Sequence, residues 1–361
     1  MSKDAHPDAV PAPDAHDPEL FATEQVITCR DEELGLRAVI AIDNTTLGPS
    51  FGGVRWRPYP STQAAVAEAQ RLAQAMTLKH ALAGLPYGGG KSVVIAQGPL
   101  PPTGSDERRR VMHRYGQFIA RTGGTYIPGV DMGTTLEDMQ AIREAGAQAY
   151  CADVDPGPYT ATGVYAAMRA AVREVLDRDM QGVRVVVQGT GSVGAHLARY
   201  AAADGAEVLV ADVDQERAAA VAGEIGGQVA DPSAVGEAEC DVFAPCAIAR
   251  VLRAENVDRV RARIVCGAAN DTLDTPEVAG LLGHRGIVYV PDFIANGGGV
   301  IQVRAHEVGW SEEELAARLE VIGDLVTQVL READEQGCTP VDAALLIADQ
   351  RLAAGRGEEM A

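Results

Sequence analysis

From about residue 20 the chain alternates short apolar runs with longer amphipathic stretches. "GLRAVIAID" and "KSVVIA" are rich in β-branched residues and read as strands. "STQAAVAEAQRLAQAMTLKHALAG" reads as a helix with Ser61 as its N-cap. Within it Ala65, Ala69, Leu72 and Met76 recur at steps of 4, 3 and 4, which marks one face, and Gln63, Gln70 and Gln74 lie opposite. A loop rich in Asp, Pro and Gly, "CADVDPGPYT", follows at 151–160, and a helix from about Thr160 to Leu176 leads into a second alternation. There "VRVVVQGTGSVGAHLARYAAADGAEVLVAD" is strand, glycine turn, helix, strand. "CDVFAP", "RIVCGA" and "GIVYVPD" extend a mostly parallel sheet. The pattern predicts a two-domain α/β protein: a disordered tail at 1–19, a first domain over 20–158 and a second over 159–329.

Composition narrows the classes. The 361 residues suffice for two substantial cores. No apolar run reaches 18 residues, so no membrane span is expected, and the first twenty residues lack the apolar stretch of a signal peptide. The formal net charge of −20 argues against nucleic acid as a partner. Of the six cysteines no pair has CxxC spacing, and no histidine pair supports a zinc site; His6 and His16 fall in the tail. Reduced thiols in a cytoplasmic protein with no bound metal are expected. Cys246, in "FAPCAI", is a candidate nucleophile without a histidine partner nearby.

The second alternation carries the most interpretable chemistry. Gly189, Gly191 and Gly194 form GxGxxG between an apolar strand and a helix, and a second strand ends in Asp212, 23 positions after Gly189. In a Rossmann-type unit the first glycine permits the tight turn, the second lets a pyrophosphate approach the backbone, and the third lets helix and strand pack closely. The helix N-terminus, with Ser192 and Val193, would offer amides to the pyrophosphate. The competing reading is a β-turn-α unit with no ligand.

Three charged residues stand out in the first domain. A further step of 3 along the apolar stripe lands on Lys79, where an ammonium is costly unless it is paired, reaches a cleft or snorkels to the surface. Lys91 follows three glycines in "LPYGGGKSVVI". The Walker spacing fails by one residue and a strand follows, so the glycines read as a close backbone approach to a ligand, with Lys91 at the start of a strand. Asp131, in "TYIPGVDMGTTLEDM", precedes a helix opened by the capping box Thr134-x-x-Glu137. It is either a functional carboxylate or an ordinary acid favouring a helix N-terminus. Two lysines and an aspartate beside a dinucleotide fold suggest carbonyl or imine redox chemistry.

These residues lie in blocks that, in order, resemble the leucine/phenylalanine/valine dehydrogenases of the amino-acid dehydrogenase superfamily, related to glutamate dehydrogenase. The blocks are "LGPSFGGVRW", "MTLKHALAGLPYGGGKSVVI", "YIPGVDMGTTLEDM", "TATGVYAAM", "GTGSVG", "DVFAPCA", "CGAANDTL" and "VPDFIANGGGVIQV", and the resemblance covers about 20 to 355. It implies a substrate domain and a Rossmann NAD-binding domain separated by a cleft, with 330–361 returning to the first domain. It implies that Lys79 binds the substrate α-carboxylate, with Gly52 and Gly53 shaping that end of the site. Lys91 would activate water and polarise the carbonyl, and Asp131 would shuttle protons to and from the amino nitrogen. Thr160 would sit by the nicotinamide amide, and Asn270 would contact cofactor and substrate. Phe51, Gly129, Val300 and Val303 would line the side-chain pocket.

Several positions depart from the family pattern. Leu78 stands where tyrosine is usual before the lysine, Asp271 where a second asparagine is usual, Gly297 where alanine is usual, and Phe51 where leucine is frequent. The implied reaction is reversible, NAD-dependent oxidative deamination of an apolar L-amino acid to the 2-oxo acid and ammonia, with branched aliphatic substrates slightly favoured and a homo-oligomer expected. Asp212 favours NAD over NADP, because a carboxylate accepts ribose hydroxyls and repels a 2′-phosphate. The alternatives are a relative specialised for phenylalanine, tryptophan or a non-proteinogenic amino acid, and, in another class, a catalytically idle NAD-binding sensor or scaffold.

Overall fold

β-Branched runs become strands, and small residues decide how closely the helices approach them. The computed structural model describes residues 22–150 and 154–359. The tail at 1–19, with His6 and His16, and Cys151 lie outside the described residues. The first sheet has five strands, β1 (Gln25–Asp31), β2 (Leu36–Asn44), β3 (Ser50–Arg57), β4 (Gly88–Ile95) and β5 (Tyr126–Val130), in the order β1-β2-β4-β3-β5. β1, β2 and β4 pair antiparallel, while β3 runs parallel to both β4 and β5. Three helices belong to this sheet: α1 (Thr62–Leu82), α2 (Asp106–Ala120) and α3 (Leu136–Glu144).

The strand period of two sorts the faces. Leu36, Ala38, Ile40 and Ile42 of β2 pack with Val111 and Met112 of α2 and Met139 and Ile142 of α3. Val39 and Ala41 pack with Ala65, Ala69 and Ala73 of α1. Ser61 caps α1 as expected, its side chain accepting from the Ala64 N–H. The buried row differs in part from the expected stripe. Ala73, Thr77 and Gln70 are buried, and Met76 is only half-buried. Gln70 is therefore not on a solvent face; its amide donates to Thr23 Oγ1 at 3.3 Å.

The row Ala65, Ala69, Ala73, Thr77 is small for a reason found in β4. Gly88, Gly89 and Gly90 are themselves strand residues rather than a loop leading into one. A Cβ on Gly89 would lie 2.0 Å from Thr77 Oγ1 and 2.3 Å from the Ala73 carbonyl oxygen. One on Gly88 would lie 1.8 Å from the Asn44 carbonyl oxygen. The glycine run thus admits a helix and neighbouring strands, not a ligand, and Lys91 is the fourth residue of its strand instead of the first. The capping box of α3 is also displaced by one position. Thr135 and Asp138 form it, because Asp138 is fixed in the core by Arg108, whose Nε donates at 2.8 Å. Thr134 turns back instead, donating to the Val54 carbonyl at 2.8 Å and accepting the Asp131 N–H at 2.9 Å.

The second sheet comprises β6 (Arg184–Gln188), β7 (Glu207–Ala211), β8 (Gln228–Val229), β9 (Val242–Pro245), β10 (Ile264–Val265) and β11 (Val288–Tyr289). All pairings are parallel, in the order β11-β10-β9-β6-β7-β8. This is the doubly wound nucleotide-binding order, whose strand order reverses between β6 and β9. Its helices are α4 (Gly157–Leu176), α5 (Ser192–Ala203), α6 (Gln215–Ile225), α7 (Glu277–His284), α8 (Asp292–Ala295), α9 (Gly298–Val308), α10 (Glu312–Gln336) and α11 (Pro340–Glu359). α4 begins three residues before the expected Thr160, with Pro158 in its first turn, where a missing N–H costs nothing. Gly298 lets α9 meet α4: a Cβ there would lie 2.1 Å from the Tyr159 carbonyl oxygen. α11 packs on α10 and on α1, where Arg351 donates to the Ala81 carbonyl at 3.0 Å. Among the described residues no helix is long and apolar enough to cross a membrane.

Gly89→Ala is expected to destabilise the protein by about 3 kcal/mol or more, because both clashing atoms belong to a buried helix. Denaturant midpoints of the two proteins measure this. A midpoint equal to wild type would show that α1 and β4 are free to separate.

Candidate active site

The pleat gathers the three expected charged residues on the α1 face of the first sheet. Gly53 of β3 is paired with Gly129 of β5, and Val54 is paired with Ser92 of β4, so Phe51, Gly53, Arg55, Lys91, Gly129 and Asp131 share one side. Lys91 Nζ lies 3.1 Å from Asp131 Oδ2. Arg55 Nε donates to the same oxygen at 2.8 Å. Arg55 Nη1 then reaches Glu68 Oε1 of α1 at 2.7 Å, and the Tyr59 hydroxyl donates to that oxygen at 3.0 Å. The sequence reading missed Arg55, Glu68 and Tyr59. For Arg55 a signal was present: it stands two residues beyond Gly53 in a strand.

Glycine makes room for this cluster. A Cβ on Gly53 would lie 2.7 Å from Asp131 Cβ and 3.1 Å from Lys91 Nζ. One on Gly52 would lie 1.7 Å from the Gly90 carbonyl oxygen and 3.3 Å from Met76 Cγ, so Gly52 serves strand packing beneath α1. Gly129 is buried beside Gly53.

Electrostatics follow from burial. Burial pushes the Asp131 carboxyl up, but Lys91 and Arg55 outweigh it and hold the group far below the usual carboxylate range. Burial lowers the Lys91 ammonium; Asp131 opposes the fall and Arg55 adds to it. Lys79, in the last turn of α1, is partly exposed and makes no hydrogen bond or ion pair among the described residues. Desolvation still brings it down to about 8, with Asp292 opposing and Lys91 reinforcing. Lys79 thus senses both Lys91 and Asp131, and the three form one electrostatic unit.

The residues expected around the substrate side chain are buried. Phe51 is in an aromatic cluster, 5.4 Å from His80, 5.6 Å from Tyr87 and 5.2 Å from Tyr150 between ring centroids. Val300 and Val303, one turn apart on α9, belong to the same apolar core as Phe51. α9 is tied to the first sheet's side by Glu307, whose carboxylate accepts the hydroxyls of Tyr87 and Tyr150 and pairs with Arg304 at 2.9 Å. Asn270 is exposed, and its Oδ1 accepts from Asn296 Nδ2 at 2.9 Å. Asn296, another residue the reading did not single out, is buried with its own Oδ1 unpaired. Asp271, next to Asn270, has a left-handed φ of 52°, which a short polar side chain tolerates. Its carboxylate pairs with Arg71 of α1, 200 positions away in sequence. That pair accounts for the departure from asparagine at 271.

The glycine turn has the geometry of a dinucleotide cradle. Gly189 has φ +96°, beyond easy reach of other residues. A Cβ on Gly194 would lie 1.9 Å from the Gly189 carbonyl oxygen, while one on Gly191 would meet nothing within 4 Å. Gly191 is the N-cap of α5 without a side-chain cap, so the first amides of that helix, at Ser192, Val193 and Gly194, face outward for an anion. These residues fit a dinucleotide. Thr160 is part-buried in α4, its hydroxyl donating to Pro156 at 3.0 Å, and a Cβ on Gly299 would lie 2.7 Å from it. The Asp212 carboxylate is already well supplied: Oδ2 accepts the Thr190 N–H at 2.7 Å and hydroxyl at 3.0 Å, and Oδ1 accepts the Asp214 N–H at 2.9 Å and Arg217 Nη2 at 2.7 Å. Cys246 is part-buried, and desolvation pushes its thiol up to about 12, which disfavours the thiolate a nucleophile needs.

A doubly wound nucleotide lobe beside a sheet that pairs a buried lysine with an aspartate, with a second lysine on the helix over it, has the features of an amino-acid dehydrogenase. The comparisons agree. Residues 23–148 match the Glu/Leu/Phe/Val dehydrogenase dimerisation domain, and residues 216–358 match the Glutamate/Leucine/Phenylalanine/Valine dehydrogenase domain. A leucine dehydrogenase from Bacillus cereus is 36% identical over 342 residues, covering 93% of this chain and 92% of the relative. A valine dehydrogenase from Streptomyces coelicolor is 38% identical over 348 residues, covering 92% and 93%. The crystal structure of an L-tryptophan dehydrogenase from Nostoc punctiforme superposes with a TM-score of 0.79 at 33% identity, covering 94% of this chain and 98% of that one. The chain belongs to the Glu/Leu/Phe/Val dehydrogenase family.

Gly53→Ala is expected to cut dehydrogenase turnover by roughly 100-fold, since its methyl would drive Asp131 away from Lys91 by a fraction of an ångström or more. Steady-state kinetics on the folded variant provide the measurement. Turnover within twofold of wild type would mean that the Lys91–Asp131 spacing is not critical.

Proposed function

We propose that the protein catalyses reversible, NAD-dependent oxidative deamination of an apolar L-amino acid to its 2-oxo acid and ammonia. The carrying observation is the buried contact of Lys91 Nζ with Asp131 Oδ2 at 3.1 Å, with Lys79 in the same electrostatic unit. When bound, the nicotinamide supplies an acceptor for the substrate's Cα hydride. Lys79 holds the α-carboxylate, and Gly52 and Gly53 give that end its shape. After hydride transfer, water adds to the imine carbon. Lys91, whose lowered pKa makes the neutral amine accessible, removes a proton from that water. In the reverse direction its ammonium polarises the 2-oxo carbonyl. Asp131, having taken a proton from the substrate's ammonium group before hydride transfer, returns it to the amino nitrogen; as the C–N bond breaks, the carbinolamine hydroxyl gives its proton to the freed Asp131 carboxylate, and ammonia leaves.

The substrate domain in this reading is 20–158 together with 330–361, and 159–329 holds the cofactor. The contact of Arg351 with the end of α1 supports the return. Gly189, Gly191, Ser192, Val193 and Gly194 take the pyrophosphate, Thr160 and Asn270 the nicotinamide end, and Asn270 also touches substrate. Asp212 favours NAD: desolvation pulls its carboxyl up, but its hydrogen bonds hold it ionised, down to about 2, so that it repels a 2′-phosphate, and Arg217, bonded to its Oδ1 at 2.7 Å, softens that preference. The match of 23–148 to a dimerisation domain supports a homo-oligomer, and a cytoplasmic enzyme without metal completes the picture.

Phe51, Gly129, Val300 and Val303 form the side-chain pocket. Phe51 takes space and Gly129 returns it, so branched aliphatic substrates come slightly ahead of aromatic ones. Preference for a larger ring, as in the tryptophan dehydrogenase neighbour, is the second reading, favoured by the missing side chain at Gly129.

Lys91→Ala should lower kcat by roughly 10²–10⁴-fold with NADH binding intact, whereas Lys79→Ala should chiefly raise KM for the amino acid. Near-normal turnover of the Lys91 variant would overturn the mechanism. A panel of amino acids with NAD and NADP decides specificity. Valine and leucine should lead, glutamate should be excluded, and Gly129→Ala should depress phenylalanine more than valine by a factor reflecting about 1–3 kcal/mol. Good activity on glutamate, or equal efficiency with NADP, would defeat that part of the reading.

A further inference from the structure

We infer that Arg55 is a positioning residue for the Lys91–Asp131 pair: bridging Asp131 to Glu68 of α1, it fixes the carboxylate beside the lysine and sets the pH range in which the pair works. The inference rests on the dehydrogenase reading and goes beyond it to a residue that touches neither substrate nor cofactor in that reading.

Three observations carry it. The first is shared geometry. A single oxygen, Asp131 Oδ2, takes Lys91 Nζ at 3.1 Å and Arg55 Nε at 2.8 Å. A carboxylate held by Lys91 alone would rotate about its side chain as the lysine moves, and a second, planar donor removes that freedom. The second is anchorage. Arg55 is not a tethered surface group: its side chain is 11% exposed, and its far nitrogen is fixed at 2.7 Å by Glu68, itself held by the Tyr59 hydroxyl at 3.0 Å. The chain Tyr59, Glu68, Arg55, Asp131, Lys91 therefore runs from α1 across the sheet to the reacting lysine. The third is charge. A guanidinium stays charged at every pH of interest, so it is a fixed field acting on two groups that do titrate.

The sign of that field is definite. The charged groups acting on Lys91 are Asp131 after β5, Arg55 on β3, Asp271 beyond β10 and Lys79 on α1; those acting on Asp131 include Lys91 and Arg55. Arg55 favours the neutral form of Lys91 and the ionised form of Asp131. Removing its charge raises both. In the deamination direction Lys91 must be neutral to accept the proton of water, so activity rises with pH as Lys91 loses its proton. Without Arg55 that rise moves to higher pH.

The test is the pH profile of kcat/KM for oxidative deamination in wild type, Arg55→Gln and Arg55→Lys, with thermal melts as a check on folding. Arg55→Gln should move the rising limb up by roughly one pH unit, the size expected of one nearby charge, and lower kcat by about tenfold or more. Arg55→Lys keeps the charge but loses the fork. It should hold the limb within a few tenths of a unit of wild type while recovering only part of kcat. An active Arg55→Gln enzyme whose limb stays in place would overturn the inference while leaving the dehydrogenase reading intact. If Arg55→Gln fails to fold, a limb in Arg55→Lys displaced by a full unit would overturn it equally. A wild-type protein without amino-acid dehydrogenase activity would instead defeat the reading on which it rests.

Discussion

Everything in the first lobe is arranged around one electrostatic problem: three cations, Lys79, Lys91 and Arg55, placed where burial disfavours charge. Asp131 takes Lys91 and Arg55 on one oxygen, Glu68 takes the far end of Arg55, and Asp292 is the main charge opposing the fall at Lys79. Breaking a buried pair by removing one member leaves an uncompensated charge, so Asp131 and its cations stand or fall together. The three cations are not equally compensated. Lys91 and Arg55 bond to one carboxylate oxygen, and Lys79 has no direct partner among the described residues. Lys79 is therefore the cation of the three left open to an anion.

The glycines are the structural means to that end. Gly53 keeps clear the space between Asp131 and Lys91, and Gly89 lets β4 lie against α1 while Gly88 and Gly90 admit neighbouring chain at Asn44 and Ser50, so that Lys79 and Lys91 come from two elements packed nearly in contact. Had β4 carried side chains at those positions, α1 would stand off from the sheet and the two ammonium groups would no longer perturb each other. The strand pairing of Gly53 with Gly129 sets a second residue without a side chain beside it.

How much of this was legible in the sequence follows from range. Local periodicity placed β2, α1 with its Ser61 cap, and the turn at Gly189, because each depends on neighbours within a few residues. The role of the Gly88–Gly90 run was misread as ligand approach because its partners, Thr77 and Ala73, are a helix turn seen only after packing. The α3 cap shifted by one because Asp138 answers to Arg108, 30 positions earlier. Lys79, Lys91 and Asp131 stood out in the sequence, but Arg55 and Glu68 were not singled out, because the pairing that joins them to Asp131 forms only when β3, β5 and α1 pack. Nothing local announced that Asp271 would meet Arg71, or that Glu307 would meet Tyr87 and Tyr150.

Those last two contacts define how the lobes address each other. Arg71 and Asp271 join α1 to the loop carrying Asn270, and Glu307 joins α9 to the aromatic cluster around Phe51. These polar contacts add to the apolar core that already joins Phe51, Leu82 and Tyr87 to Val164, Ile294 and Val300. The pairs differ in kind. Arg71 and Asp271 are each at least a quarter exposed, so salt screens them, whereas the two tyrosine hydroxyls give Glu307 neutral partners as well as Arg304. Raising ionic strength thus loosens the Asn270 side first. The pocket-side contact persists because phenol-to-carboxylate hydrogen bonds do not depend on a net charge on both partners. Glu307 thus ties α9, with Val300 and Val303, to the aromatic cluster of the first sheet through neutral partners, whereas the loop carrying Asn270 rests on a charge pair.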